Sequence, residues 1–194
     1  ARRRVLLFAL GGESYATGAE LTLPSVGDGT YRFVVVTDAA GSVFELDGEG
    51  DNLTASAPVE IGHADLALTA LAVPPAATSG EMIGVDWTVE SVGTAAALGA
   101  WVDRVYLSSD ATLGGGDTLV GAVARTGPLA PGESLAGHLD VAIPIDRSGT
   151  LFVIVRADDA AQVTEPGAEG NNTGAAGLEI TLAPYADLAV SEVT

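Results

Sequence analysis

Apolar residues fall on every second position through much of this chain. Ile83, Val85, Trp87 and Val89 alternate with Gly84, Asp86, Thr88 and Glu90. Leu139, Val141 and Ile143 alternate with His138, Asp140 and Ala142, and Leu178, Ile180 and Leu182 with Glu179 and Thr181. A period of two turns one side of an extended segment toward a core and the other toward solvent, so these segments predict half-buried strands. Val105 and Leu107 after Trp101, the short run Leu119 to Ala124, and Leu66 with Leu68 predict three more. Leu151 to Val155 is apolar at both parities, which predicts a central strand, and Tyr31 to Val36 reads the same way. The one helix-prone stretch, Thr94 to Ala100, is too short to carry a helical core. Seven short strands in one stretch predict an all-β fold, an immunoglobulin-like antiparallel β-sandwich, with a β-barrel as the alternative. The chain has no cysteine, so Trp87 and Trp101 are expected to fill the space between the sheets.

The pattern repeats. Glu13 to Asn52 lies over Glu133 to Asn172 without a gap, with 14 of 40 positions identical. Pro24 falls on Pro144, Gly29-Thr30 on Gly149-Thr150, Asp38 on Asp158, Glu45 on Glu165 and Asn52 on Asn172. Further on, Ala64-Asp65-Leu66-Ala67 recurs as Ala186-Asp187-Leu188-Ala189. The frame predicts tandem repeats of about 120 residues: the C-terminal half of a truncated repeat over 1–62, a complete repeat over 63–184, and the first strand of a following one over 185–194. Half a sandwich has no second sheet over its apolar face. The expectation is therefore that this segment packs against another chain, against a symmetry mate, or imperfectly; one route is self-association, in which the truncated first repeat takes up the C-terminal strand of another molecule. Arg2-Arg3-Arg4 before Val5 to Leu10 imitates a signal peptide, but the apolar run is short and its counterpart near Arg125 is internal, so it reads as a strand.

Charge narrows the function. Eight arginines and no lysine stand against 26 acids, a formal net charge of −18. Such a surface opposes nucleic acid and anionic membranes, and no apolar run approaches the ~20 residues of a spanning helix, so no membrane insertion is expected. Catalytic chemistry finds little footing. His63 and His138 are the only histidines, and the sequence around Ser14 and Ser134 lacks the strand-to-helix setting of a nucleophile elbow.

Two acidic segments are candidate cation sites. One is the repeated turn Asp38, Glu45, Glu49, Asp51, Asn52, with Asp158, Glu165, Glu169, Asn171 and Asn172 in the second copy. Carboxylate and amide oxygens in one loop suit Ca2+. The same residue types also close turns through side-chain-to-backbone hydrogen bonds, which is the favoured reading. The other is the glycine-rich loop between Asp110 and Asp117, where turn formation is again favoured.

Several segments together resemble the CARDB domain, the cell-adhesion-related domain found in bacteria. They are Ala64-Asp65-Leu66, Val85-Asp86-Trp87-Thr88-Val89 with Gly93, Trp101 to Asp110, Asp117 to Gly121, Gly149-Thr150 and Glu169 to Asn172. The resemblance covers Ala64 to Leu182 whole and Glu13 to Ile61 in part. It implies an immunoglobulin-like sandwich, tandem arrays, large secreted or surface-exposed proteins and no enzymatic activity. The expected function is a spacer or adhesion module, extracellular or at the cell surface, with an extracellular protein or glycan as partner. No cofactor is required, and Ca2+ is the candidate stiffening ion. The rival is an accessory module that binds carbohydrate or peptide, for which Trp101 and Tyr106 would be the test positions.

Overall fold

The computed structural model describes residues 14–46, 48 and 50–184. Residues 1–13 and 185–194 lie outside these, and with them the predicted strand near Val5 to Leu10 and the opening strand of a following repeat.

Residues 64–182 form a two-sheet sandwich. Its strands are β5 (Leu66–Ala72), β6 (Ala76–Thr78), β7 (Met82–Ser91), β8 (Ala100–Ser108), β9 (Thr118–Thr126), β10 (Ser134–Ala142), β11 (Gly149–Arg156) and β12 (Thr173–Thr181). One sheet has the order β10-β7-β5, the other β6-β12-β11-β8-β9. All pairs are antiparallel except β6 with β12, which run parallel. The seven predicted strands are present. The eighth, β6, is three residues of Ala-Ala-Thr following Pro74-Pro75, too short to show a period. The chain leaves the first sheet after β5 and joins the second through β6. No helix forms over Thr94 to Ala100; Ala97 instead makes an isolated bridge to Leu129.

Alternation determines what is buried. Ile83, Val85, Trp87 and Val89 from β7 meet Trp101, Val105 and Leu107 from β8, Val141, Val153, Val155, Leu178 and Ile180 across the sandwich. Trp87 and Trp101 are both in the core, as expected. At ~150–250 Å2 for such a ring and ~25 cal/mol per Å2, each contributes about 4–6 kcal/mol of burial. Space for Trp87 comes from Gly137 on the facing strand, where a Cβ would lie 2.1 Å from the indole.

Charge is also buried here. Asp103 is fully buried on the inward parity of β8. Its Oδ2 accepts from Trp87 Nε1 at 3.0 Å and from Arg125 Nε at 2.8 Å. Arg125 also donates to the Ala136 carbonyl at 2.8 Å, and its guanidinium lies 5.6 Å from the Trp87 ring centroid. This ion pair ties the inward sides of β7, β8 and β9 together at the open edge of the sandwich.

The N-terminal segment is a hairpin. Its strands β1 (Gly29–Tyr31) and β2 (Val34–Val36) pair with β4 (Val59–Ile61) and β3 (Leu53–Ala55). Between the pairs Phe33 and Ser56 exchange hydrogen bonds, Ser56 N to the Phe33 carbonyl at 2.8 Å and Phe33 N to Ser56 Oγ at 3.0 Å. The second arm has one residue more than β12 and carries Pro58, which has no N–H to give a ladder. The counterpart of β10, residues 14–22, carries no strand. β10 pairs only with β7, and among the described residues no β7-like strand lies beside 14–22. The consequence is an open apolar surface. Val153 and Val155 are fully buried, whereas their counterparts Phe33 and Val35 are 39% and 60% exposed.

Candidate functional site

The repeated acidic turn is the most structured polar feature of the molecule, and its two copies match bond for bond. Asp158 takes a positive φ of 43°, a conformation that asparagine and aspartate tolerate better than most residues. Its carboxylate accepts from Gln162 N at 2.8 Å and Val163 N at 2.7 Å. Asp38 has φ 39° and accepts from Ser42 N at 2.9 Å and Val43 N at 2.7 Å. Those two N–H groups hold the Asp38 carboxyl below the usual carboxylate range. Asn172 Nδ2 donates to Glu165 Oε2 at 2.7 Å, and Asn52 Nδ2 to Glu45 Oε2 at 2.8 Å. The loop closes at its neck through Ala157 N to the Asn172 carbonyl and Thr37 N to the Asn52 carbonyl, both 2.8 Å.

The second copy is finished by the sandwich. Glu165 Oε1 accepts from the backbone N–H of Leu66 at 2.5 Å, and Asn171 Nδ2 donates to Asp65 at 2.8 Å. The first residues of β5 are thus fixed to a loop a hundred residues away. Glu165 is only 3% exposed. Burial pushes its carboxyl up, partly opposed by the Asn172 and Leu66 donors and reinforced by Glu169 and Asp158.

The candidate cation residues therefore have other partners. The oxygens of Asp38, Asp158 and Glu165 are engaged by N–H donors, and Asn52 and Asn172 present their amide nitrogens to Glu45 and Glu165. Glu169 reaches Asn172 Nδ2 at 3.4 Å. Asp51 lies in the first loop with its N–H on the Gly48 carbonyl, and Glu49 lies outside the described residues. In the glycine-rich loop Asp110 accepts from Thr112 N at 2.8 Å and Asp117 from Gly114 N at 2.7 Å. The Ser108 hydroxyl, followed by the Gly114 N–H, lowers the Asp117 pKa. Among the described residues no group of three or more acidic or histidine side chains is placed to hold a metal ion. The geometry is that of turn closure.

Both histidines sit beside acids. His63 Nδ1 is 2.5 Å from Asp28, whose other oxygen accepts from the Thr94 hydroxyl. Thr94 meets the acid rather than the imidazole, so the trio contains no nucleophile–base pair of the kind acyl transfer needs. His138 is exposed, 2.7 Å from Asp86 and 3.4 Å from Asp140. The hydrogen bond to Asp86 above all raises its pKa; loss of solvation opposes the rise, and the charges of Asp86 and Asp140 add to it. For the carbohydrate-binding alternative, both tryptophans are inside the sandwich. Tyr106 lies on the opposite parity from Trp101, in the region of the Arg104–Asp159 pair, which is 2.6 Å long.

Comparison with known proteins separates the fold from the function. The crystal structure of the CARDB domain of the PF1109 protein from Pyrococcus furiosus, in complex with di-metal ions, matches 62% of this chain and 96% of its own, at TM-score 0.50 and 17% identity. The unit has the CARDB fold. A solution NMR structure of the same domain matches 63% of the chain and 100% of its own, at TM-score 0.49 and 19% identity. A mutant beta-glucosidase from Listeria innocua in complex with laminaribiose is matched over 17% of its length and 64% of this chain, at TM-score 0.40 and 15% identity. No family model and no curated protein matches the chain. Among the described residues no helix is long and apolar enough to cross a membrane.

The buried ion pair of this CARDB-type sandwich was missed at the level of sequence, although a signal was there. Asp103 shares its parity with Trp101, Val105 and Leu107, and Arg125 shares its parity with Val123 on the adjacent strand. Opposite charges on the apolar parity of two neighbouring strands announce a buried pair.

Proposed function

We propose that this chain is a non-enzymatic spacer or adhesion segment of a secreted or surface-exposed bacterial protein, organised as the C-terminal half of a truncated repeat over 1–62, a complete CARDB-like repeat over 63–184 and the first strand of a following repeat over 185–194. The observation that carries the reading is the joint between hairpin and sandwich. The linker Gly62–Ala64 is fastened rather than loose. The His63 carbonyl accepts from Thr94 N and Ala95 N at 3.0 Å each, His63 N approaches Thr94 Oγ1 at 3.2 Å, and Asp28 reaches across to both His63 and Thr94. Gly93 lets the linker come close, since a Cβ there would stand 2.4 Å from the His63 carbonyl oxygen. A joint held by backbone and side-chain bonds on both sides limits bending, which a spacer needs and a flexibly tethered module does not.

The test uses the absence of native cysteine. Spin labels placed through Ala57→Cys in the hairpin and Ala142→Cys in the sandwich report the distance across the joint. A single narrow distribution supports the spacer. A broad one, unchanged by Thr94→Ala, overturns it. Reproducible glycan-array binding lost on Tyr106→Ala would move the reading to the accessory-module alternative.

A further inference from the structure

The outward side of the larger sheet carries a ridge of large side chains. The core takes Trp101, Val105 and Leu107 from β8 and Val153 and Val155 from β11. Arg104 and Tyr106 on β8, and Phe152, Ile154 and Arg156 on β11, therefore face away from it. Ile154 is nevertheless fully buried. It lies opposite Tyr106, with Phe152 and Arg156 two residues to either side on its own strand, so these side chains are laid down over it rather than extended into solvent. Phe152 leans toward β12, where its Cε1 would stand 3.8 Å from a Cβ on Gly177.

At one end of the ridge two arginines, Arg104 and Arg156, stand directly opposite each other. Like charges in that position repel. One carboxylate answers them: Asp159 binds Arg104 at 2.6 Å, with the Tyr106 hydroxyl beside both. Arg156 makes no ion pair among the described residues, and its Nε is shut off from water without an acceptor. The patch is thus positive in a chain of formal net charge −18. The outward side of the smaller sheet holds Asp86, Glu90 and Asp140. On the larger sheet the one outward acid carried by a strand, among the described residues, is Glu179, bonded to Thr150 six residues, ~20 Å, along β11 from Arg156. The N-terminal hairpin repeats the Asp, Glu and Asn of the acidic turn but not this patch, since Phe152, Arg156 and Asp159 correspond to Arg32, Val36 and Ala39. What the two copies share serves the fold, and these side chains are not part of it.

We propose that this face docks an acidic segment of a protein partner, with a carboxylate against Arg104 and Arg156 and an apolar side chain on Tyr106 and Phe152. This deepens the adhesion half of the proposed function by naming the partner's chemistry, and it rests on that half. Arginine and aromatic side chains already held in place are what the centre of a protein interface uses. A sugar would need partners for its hydroxyls, and the flanking outward positions are Ala122, Ala124, Ala175 and Gly177, with Thr173 the one hydroxyl beside Arg156. An extended segment alongside β11 rises ~3.3 Å per residue, and Phe152 is four residues from Arg156, so the acid and the apolar residue should lie about three to five positions apart.

The test is selection from a displayed library of random linear peptides on the full chain, at about 0.15 M salt, where charges more than ~8 Å apart are screened. The proposal expects an enriched family that shares an acidic residue at that spacing from an aromatic or large aliphatic one. Arg156→Gln should weaken binding of the synthesised peptide about tenfold or more, the scale of a hydrogen bond to a charged group, and so should replacing the peptide's acid by its amide. Arg156→Gln should not lower the melting temperature, because it removes a repulsion rather than a bond, so lost binding is not lost folding. Arg32→Gln in the hairpin changes the net charge equally and should leave binding unchanged. The proposal is overturned if no family is enriched, if the enriched family lacks the acid, or if Arg32→Gln weakens binding as much as Arg156→Gln. Binding of polygalacturonate oligomers that Arg156→Gln abolishes, without an enriched peptide, overturns it too and assigns the face to an acidic glycan. A narrow spin-label distribution alongside any of these results keeps the rigid spacer and removes only this partner.

Discussion

Removing Asp103 tests how the sandwich is held at its open edge. In Asp103→Leu the two donors on Oδ2 lose their acceptor at once, the Trp87 indole N–H, in a ring that is 2% exposed, and the Nε of Arg125, and the Asp158 N–H loses its longer 3.4 Å contact with Oδ1. An unsatisfied buried N–H costs about 1–3 kcal/mol. Leaving one partner of a buried ion pair alone costs about 3–5 kcal/mol. The two figures overlap, because Oδ2 is the shared acceptor, and Arg125 keeps its bond to the Ala136 carbonyl and its place over the Trp87 ring. The expected loss is therefore about 3–4 kcal/mol, a large part of the stability of a domain of this size. Arg125→Met should cost a similar amount by leaving the buried carboxylate with the Trp87 indole and the long Asp158 N–H contact but no counter-charge. The double variant Asp103→Leu/Arg125→Met should cost clearly less than the sum, because no charge is then left unpaired. Urea unfolding followed by tryptophan fluorescence reads all four corners of the cycle. If Asp103→Leu falls within about 0.5 kcal/mol of wild type, or the two single losses simply add, the ion pair does not hold the edge and the reasoning fails.

Three further outcomes follow from the same structure. Glu165 has its pKa raised in the fold, so its contribution to stability is full below the unfolded value and is lost as pH rises through the folded one; Glu165→Gln should flatten that part of the pH–stability curve, and an unchanged slope on acidification below neutrality would contradict it. Millimolar Ca2+ should leave the melting temperature within about 1 °C of its value in chelator, because Asp38, Asp158 and Glu165 already accept from N–H groups; a site at 100 times its dissociation constant would add about 2.7 kcal/mol, and a Ca2+-selective rise of several degrees, absent with Mg2+, would make the turns metal sites. Trp101→Phe should destabilise less than Trp87→Phe, because Trp101 Nε1 is buried with no acceptor among the described residues whereas Trp87 Nε1 is bonded to Asp103; denaturation midpoints in the reverse order would refute this.

What could be read from the chain follows the strength of each local signal. The alternation from Ile83 to Val89 is long and regular, and β7 lies there with the expected residues inward. The duplicated Asp, Glu and Asn of the acidic turn marked a duplicated local structure, and the same hydrogen bonds occur in both copies. Their role was less legible, because the donor that completes Glu165 is a backbone N–H at Leu66 and carries no residue code. β6 was invisible for a related reason, being three small residues recruited by pairing with β12 rather than by a pattern of their own. Residues 14–22 show the opposite case. They align with β10 yet carry no strand, because a strand exists only in a ladder, and among the described residues its partner β7 has no counterpart beside them.

The parallel pairing of β6 with β12 has a mechanical consequence. The chain enters the sandwich at Leu66 and leaves it after Thr181, from opposite ends. Tension applied between Leu66 and Thr181 pulls β6 and β12 in opposite directions along their own axes. The ladder from Ala76–Thr78 to Glu179–Thr181 is then loaded in shear, with its bonds sharing the force together, as is the longer ladder between β5 and β7. A hairpin pulled from its open end parts one bond at a time. This connectivity instead makes the unit yield late and all at once.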